Sequence, residues 1–292
     1  MEELLSPKQV ARAIGVSESS LKRWCDQGLI ETVRTAGGHR KLPIKDVIRF
    51  VREKKHAVVC PEVLGMPTRS QLSEIGLERG RASLTKALLD GNELATRQII
   101  FDLYLAKHSI SVICDQVIYP SFLEIRRRCE IDLADLYQER RSCEVTRRTI
   151  YELRRAQHDP DALWKACGGT LEGDMCTLPT AIIELILRDN GWDATSLGLS
   201  IPAASVVRAI LDTKPRLFWI CVSRVDDPAR FIQDFRQISE AAESVGTALV
   251  LFGRALTEEI RTQLSYCCYC DSMQQVESFS KTVRRLASAM SN

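Results

Sequence analysis

The sequence lacks most of the features that mark membrane and secreted proteins. Its 292 residues contain no apolar run close to the ~20 residues that a membrane span requires. The N-terminus, MEELLSPKQV, is acidic and then polar, which is unlike a secretory signal. The eleven cysteines occur singly, apart from Cys267-Cys268-Tyr269-Cys270, so they do not form a disulfide framework. We therefore expect a cytoplasmic protein with free thiols and no membrane partner.

Patterns typical of catalytic, nucleotide and metal sites are also missing. The segment 168–173 is rich in glycine but lacks the dinucleotide-binding pattern and the lysine of a phosphate-binding loop. The 267–270 cysteines lack two separated ligand pairs, so we interpret them as small apolar residues of a buried strand, with a metal or redox site as the alternative. None of the four histidines has an acidic partner at catalytic spacing. We expect no enzymatic activity.

Positive charge is concentrated at one end of the chain. Residues 1–56 contain twelve lysines and arginines against seven acidic residues, whereas the remainder carries a small acidic excess. The overall charge of +2 hides this asymmetry. A basic N-terminal module on a mildly acidic body is typical of a protein that contacts nucleic acid at one end only.

The N-terminal residues predict a helix, a turn and a second helix. Ser6 is suited to cap the first helix, which ends at a turn around Gly15. Ser17 is suited to cap the second helix, and Gly28 to end it. A third helix is predicted over 43–51. This arrangement predicts a helix-turn-helix whose second helix enters the major groove of DNA.

A basic hairpin follows the second helix. Two adjacent glycines, Gly37 and Gly38, permit the positive φ of a tight tip, and basic residues flank them. Side chains on the free face of the second helix are predicted to reach base edges, and those on the hairpin to hold phosphates. The predicted DNA-binding residues are Ser19, Ser20, Lys22, Arg23, Arg34, Thr35, Gly38, His39, Arg40 and Lys41.

The segment from Ser6 to Val51 resembles the winged helix-turn-helix of the MerR family of transcription regulators, and residues 34–40 resemble its wing. The resemblance implies a regulator that binds a duplex operator as a dimer or higher oligomer. Members of that family usually dimerise through a long helix after this module. Here two prolines and a glycine within 58–67 interrupt such a helix, so we expect the body to mediate oligomerisation.

The rest of the chain predicts two further folded parts. Helical periodicity with almost no strand signal, from about 69 to 157, predicts a bundle of four or five helices. Strands then alternate with helices, which predicts a doubly wound α/β parallel sheet. The fold class is therefore mixed and multi-domain. The predicted parts are a winged helix-turn-helix (1–56), a linker (57–80), a helical bundle (81–160) and a Rossmann-like domain (161–292).

A bundle followed by such a sheet resembles the cobalamin-binding module of corrinoid proteins. Behind a MerR-type head, it is similar to the light-responsive repressors of carotenoid genes. In that family a loop with the pattern Asp-x-His-x-x-Gly supplies the lower cobalt ligand, and the Asp orients the His. In this chain Asp174 keeps its place, while Cys176 replaces the His and Pro179 the Gly. Cys176 is thus the only candidate on the cobalt side.

The remaining cofactor positions follow from the same resemblance. The family's bundle carries a Trp, nine intervening residues and then a Glu-His pair above the corrin, where this chain has Cys129 and Glu139-Arg140. Ser223 matches the serine after the third strand, and Phe252-Gly253 replaces the glycine pair beside the nucleotide tail. The resemblance thus implies a cobalamin site built from Cys129, Glu139, Arg140, Asp174, Cys176, Ser223 and Gly253.

The substituted positions leave three interpretations of the body open: a cobalamin sensor, a domain that binds a corrinoid differently or another ligand, and a domain kept for interaction or dimer formation. For the whole chain, the preferred hypothesis is a sequence-specific transcription regulator whose cobalamin-binding-like module mediates oligomerisation and ligand sensing. The alternative is a corrinoid-dependent enzyme or methyl-carrier protein with an appended DNA-binding head.

Overall fold

The computed structural model describes residues 4–35, 37–54, 56, 58–64, 76–155, 157 and 164–290. The chain divides into two compact units. The first comprises Met1–Ser109 and Gln116–His158, and the second comprises Ile110–Asp115 and Asp159–Asn292. This division does not test the boundaries of the four predicted parts, which stay predictions.

The first unit begins with a small three-stranded sheet and three helices. The elements are β1 (Leu4–Leu5), α1 (Pro7–Ala13), α2 (Glu18–Asp26), β2 (Val33–Arg34), β3 (Arg40–Pro43) and α3 (Ile44–Lys54). The sheet is antiparallel with the order β1-β3-β2. The predicted helices and hairpin are thus present, whereas β1 was missed because a two-residue strand has no periodicity of its own.

Side-chain caps fix where the first two helices begin. Ser6 and Gln9 form a reciprocal capping box on α1, and the Ser17 hydroxyl accepts a hydrogen bond from the Ser20 amide at the start of α2. Leu21 and Val10 are fully buried between the helices. The predicted caps are therefore confirmed, and they set the direction in which α2 leaves the turn.

The remainder of the first unit is helical. A short 3-10 turn, Pro61–Leu64, is followed by α4 (Leu77–Asp90) and α5 (Glu93–Leu105). The next short helix, α6 (Ile110–Ile113), belongs by its contacts to the second unit, and a π-helical turn, Cys114–Ile118, leads from it into α7 (Tyr119–Glu130). The last helix is α8 (Leu136–Arg155). Helix α4 thus begins at Leu77, within the segment 57–80 that the sequence analysis predicted as a linker.

Many arginines of these helices are paired with glutamates of the same unit. Arg127 and Arg128 both donate to Glu124, at 2.9 and 2.8 Å. Arg147 pairs with the carboxylate three residues before it, and Arg148 reaches Glu93 on α5 at 2.8 Å. These arginines therefore lie on solvated helix faces with acidic partners, so they add little net charge to a DNA-contact surface.

The second unit contains a parallel five-stranded sheet. The strands are β4 (Lys165–Thr170), β5 (Asp193–Ser196), β6 (Leu217–Cys221), β7 (Ala248–Phe252) and β8 (Cys268–Cys270). The helices that follow them in turn are α9 (Thr177–Asp189), α10 (Ala203–Thr213), α11 (Pro228–Val245), α12 (Glu258–Arg261) and α13 (Met273–Met290).

The strand order is β5-β4-β6-β7-β8, with every pairing parallel. The chain reverses its winding direction between β4 and β6, and in such sheets the ligand crevice lies at the carboxyl ends of the two strands there. The predicted fold class is thus confirmed. No helix among the described residues is long and apolar enough to span a membrane.

Candidate functional site

The exposed face of α2 carries two cations that are free of acidic partners. Lys22 and Arg23 are exposed, and within the described part of the chain neither forms an ion pair. The opposite face is anchored because Leu21 is fully buried and the Trp24 ring lies 5.0 Å from that of Phe50 on α3. The helix therefore presents its cations to solvent from a fixed support.

The two serines predicted beside these cations serve the start of the helix. The Ser17 hydroxyl donates to the Ser20 hydroxyl at 2.9 Å and lies equally close to that of Ser19. Because these hydroxyls bond to one another, they are less available to an external partner than Lys22 and Arg23.

The loop between β2 and β3 comprises the five residues 35–39, and it is flanked by the exposed Arg34 and the half-buried Arg40. The Gly38 amide donates to the Thr35 carbonyl at 2.8 Å, and Gly38 has φ +77°, which favours glycine. The Thr35 hydroxyl accepts the His39 amide at 3.2 Å, so it braces the loop. Arg34 stands opposite Arg40 in the ladder.

Arg40, at the start of β3, is held by the second helix, α2, instead of being free on the hairpin. Its guanidinium donates to Asp26, the last residue of α2, at 2.8 Å. This pair also relieves the repulsion that two facing arginines would otherwise have. Sequence reasoning missed Asp26 because the partners are fourteen residues apart and nothing local connects them. Arg34 and the half-buried Lys41 form no ion pair among the described residues.

In the bundle, two of the residues aligned with the family's upper corrin face contact neighbouring residues of the chain. Glu139 on α8 lies 3.6 Å from Arg126 on α7. The Cys129 thiol donates to the Asp135 carbonyl at 3.6 Å, and its pKa is raised by burial and by the nearby charge of Glu139. Arg140 is exposed. Cys129 and Glu139 are therefore close together.

The loops after β4 and β6 meet at Asp174. One oxygen of its carboxylate accepts the Ser223 hydroxyl at 2.5 Å and the Cys176 amide at 3.0 Å, and the other accepts the Ser223 amide at 2.5 Å. Asp174 is buried. Asp174, Cys176 and Ser223 are thus brought together as predicted, but the carboxylate binds the chain's own donors.

Two thiols lie beside this carboxylate. Cys176 is the N-cap residue of α9 and is half-buried, while Cys221, the last residue of β6, is buried. Burial raises the pKa of Cys221 well above its ordinary value, and electrostatic interactions with Cys176 and Asp174 add to the effect. Cys221 is therefore a neutral thiol, unlike the thiolate that ligates a metal.

The position predicted to lie beside a nucleotide tail is packed against protein backbone. Gly253 has φ +137°, and a Cβ there would lie 2.0 Å from the Val222 carbonyl oxygen. The Gly253 amide donates to the Cys270 carbonyl at 3.3 Å, and its own carbonyl accepts the Tyr269 hydroxyl at 2.9 Å. This packing requires a glycine at 253, and it leaves no open space beside Gly253 for a nucleotide tail.

These residues do not fit a histidine-ligated corrinoid. No imidazole stands at residue 176, the Asp174 carboxylate is taken up by three donors, and the Gly253 backbone is in contact with Val222. Within the described residues, no group of three or more His, Cys, Asp or Glu side chains is arranged to hold a metal ion.

The three cysteines within 267–270 differ in how deeply they are buried. Cys270 is buried, with the pKa of its thiol raised by burial, and its sulfur lies 3.6 Å from that of Cys268, which is half-buried. Cys267 is exposed. The interpretation as small apolar residues of a buried strand thus holds for Cys270 and is wrong for Cys267, which is exposed and precedes the first residue of β8.

This geometry defines a protein with a helix-turn-helix DNA-binding domain and a separate parallel α/β unit. Residues 4–55 match the family model described as a helix-turn-helix domain. No curated protein matches the chain.

Solved structures of three corrinoid-related proteins are similar to the chain. The Methanosarcina barkeri monomethylamine corrinoid protein has a TM-score of 0.59 at 13% identity, over 71% of this chain and all of its own. A cobalamin-binding protein from Desulfitobacterium hafniense DCB-2 scores 0.38 at 14% identity, over 70% and 97%. The methanol:cobalamin methyltransferase complex MtaBC from Methanosarcina barkeri scores 0.39 at 14% identity, over 74% and 86%. The first of these likenesses supports the fold.

Proposed function

We propose that this chain is a MerR-type transcription regulator that binds a duplex operator through its N-terminal domain. The observation that carries the proposal is the pair of exposed, unpaired cations on the second helix, Lys22 and Arg23, beside a basic hairpin. The family match over residues 4–55 supports the same conclusion. The proposal includes no catalytic step.

In this proposal the second helix reads sequence and the hairpin fixes position. Arg23 or Lys22 contacts guanine edges in the major groove, where an arginine can donate two hydrogen bonds to one base. Arg34 and Lys41 hold phosphates, which fixes the register without reading bases. Because phosphate contacts release counterions, affinity falls steeply as salt rises.

The proposal also includes a dimer or higher oligomer formed by the body. Helix α3 ends at Lys54 and a 3-10 turn follows at Pro61–Leu64, so the described residues contain no long helix directly after the head. Two copies of α2 would then enter successive major grooves about one helical turn apart. Ligand sensing by the body and a cytoplasmic location stay predictions.

The test compares Arg23→Ala with Arg34→Ala in the full-length protein. Duplexes selected from a random pool supply the specific probe, and a scrambled duplex supplies the non-specific one, both read by fluorescence anisotropy. We expect Arg23→Ala to weaken specific binding by about 1–3 kcal/mol and to leave non-specific binding nearly unchanged. Arg34→Ala is expected to weaken both alike and to lower the salt slope by about 0.9.

The matched control is Arg236→Ala, which removes an exposed arginine of α11 in the second unit. Its binding is expected to equal that of the wild type. The proposal fails if all three variants bind both duplexes with wild-type affinity and salt dependence, since the head would then not contact DNA.

A further inference from the structure

The carboxyl edge of the parallel sheet, between β4 and β6, is where a sheet of this order normally receives a ligand. Here Asp174, after β4, accepts three hydrogen bonds, two of them from the main chain and side chain of Ser223 after β6. The carboxylate is 5% exposed, which shows that it faces protein and not an open crevice. The two loops that would flank a ligand are therefore joined to each other.

The loop after β5 is hydrogen-bonded to the same part of the protein. The Thr170 hydroxyl donates to the Asp174 carbonyl at 2.6 Å and accepts the Ser200 amide, from the loop after β5, at 2.9 Å. The Ser200 hydroxyl in turn accepts the Gly173 amide at 3.0 Å. The loops after β4, β5 and β6 thus form one hydrogen-bonded network, in which each polar group has a partner inside the protein.

Strand β4 is also packed closely against the neighbouring strand β6 and the loop after β5. At Gly168 a Cβ would lie 2.4 Å from the ring of Trp219, whose indole N–H donates to the Thr180 hydroxyl at 2.9 Å. At Gly169 a Cβ would lie 2.5 Å from the Gly198 carbonyl oxygen. Both glycines are explained by close contacts within the protein, because any side chain there would collide with its neighbours.

We propose that in this chain the ligand crevice of the sheet is closed by the hydrogen-bonded network of the loops after β4, β5 and β6. We call this network the joint, and Asp174 is its central residue. The joint replaces corrinoid binding at this edge: the Asp174 carboxylate, which a ligand site would leave available, is hydrogen-bonded to Ser223 and Cys176. The inference concerns the second unit alone and holds whether or not the head binds DNA.

A cobalamin titration separates closure of the crevice from loss of one ligand. Full-length wild-type protein and Cys176→His are each incubated with hydroxocobalamin and passed through a desalting column, and the absorbance spectrum of the protein fraction is recorded. Cys176→His restores an imidazole but leaves the joint in place. We expect both fractions to be colourless. A stoichiometric red complex with either protein would overturn the proposal.

Melting of the unliganded protein tests the role of Asp174 directly. Asp174→Asn puts an amide where three donors converge, and we expect the melting temperature of the second unit to fall by about 5–10 °C. Ser223→Ala removes one of the bonds and is expected to lower it by about 2–4 °C. The control, Asp212→Asn, changes an exposed aspartate of α10 and should leave the melt unchanged.

The cobalamin titration and the melting experiments together decide whether Asp174 holds the crevice closed. If Asp174→Asn melts like the Asp212→Asn control, Asp174 does not hold the joint together and the proposal is wrong. If Cys176→His does not fold, the wild-type titration and the Asp174→Asn melt still decide the matter.

Discussion

The ion pair between Arg40 and Asp26 makes a sharp prediction about how the wing meets DNA. The guanidinium lies 2.8 Å from the carboxylate, and the side chains are 27% and 63% exposed. An exposed pair of this kind adds little to folding stability because solvent screens it. Its larger effect is on the charge that the wing offers to phosphates, since Arg40 is neutralised where it stands. Asp26→Asn should therefore release Arg40 without unfolding the head.

The size of the effect follows from counterion release. Each phosphate that a released cation neutralises steepens the slope of log K against log salt by about 0.9. Between 50 and 200 mM salt, one additional contact makes the loss of affinity about 3.5-fold greater than in the wild type. At low salt, Asp26→Asn should bind non-specific duplex more tightly than the wild type does.

The assay is fluorescence anisotropy of the full-length protein with a non-specific duplex over a salt series. The matched control is Glu31→Gln, which removes an acid of the same head that lies 3.7 Å from Arg49 on α3. Both variants add one unit of positive charge, but only Asp26→Asn frees a cation on the wing. Identical salt slopes for the two variants would refute the reasoning. A double variant, Asp26→Asn with Arg40→Ala, should return to the wild-type slope.

Two further predictions concern stability. Leu21→Ala empties a fully buried position of α2 and should cost about 2–5 kcal/mol in urea unfolding, whereas Leu29→Ala, at a 39% exposed side chain, should cost much less; equal costs would contradict the packing. Hydrogen bonds from Arg127 and Arg128 lower the pKa of Glu124 from 4.5 to about 2. Because the folded carboxyl has the lower pKa, its contribution is present above about pH 4.5 and is lost as pH falls toward 2. The melting temperature of Glu124→Gln should thus lie below that of the wild type near pH 6 and converge with it near pH 2, and a gap independent of pH would contradict this.

Local signals predicted the elements of this fold well. The Ser6 and Ser17 caps, the Gly38 turn and the apolar run of β6 each depend on residues within a few positions of one another. Such features are set by backbone geometry and short-range hydrogen bonds, which the sequence displays directly. The alternation of strands and helices then predicted a parallel α/β sheet for the second unit, because parallel strands need a crossover connection, usually a helix.

Contacts between distant residues were not predictable in the same way. The Asp26–Arg40 pair spans fourteen residues and the Asp174–Ser223 contact spans forty-nine, and in neither case does a local pattern name the partner. Aligning Asp174 with a family motif placed it correctly at the sheet edge. The motif did not show that the Asp174 carboxylate accepts hydrogen bonds from Ser223, because that contact depends on the conformation of the loop after β6.

The fold of the second unit resembles that of a corrinoid protein, whereas the residues at the carboxyl edge of its sheet do not fit a corrinoid site. These two facts have different physical origins. A parallel sheet is specified by buried apolar strands such as β6, where all five side chains are buried, and many sequences satisfy that requirement. A ligand crevice requires the opposite, namely unfilled space and unsatisfied polar groups, which cost free energy until the ligand arrives. Once selection for a ligand is relaxed, residues that fill the space and pair the groups stabilise the unit. Trp219 against Gly168 and the Asp174–Ser223 contact are of this kind, so the same fold stays stable without a ligand.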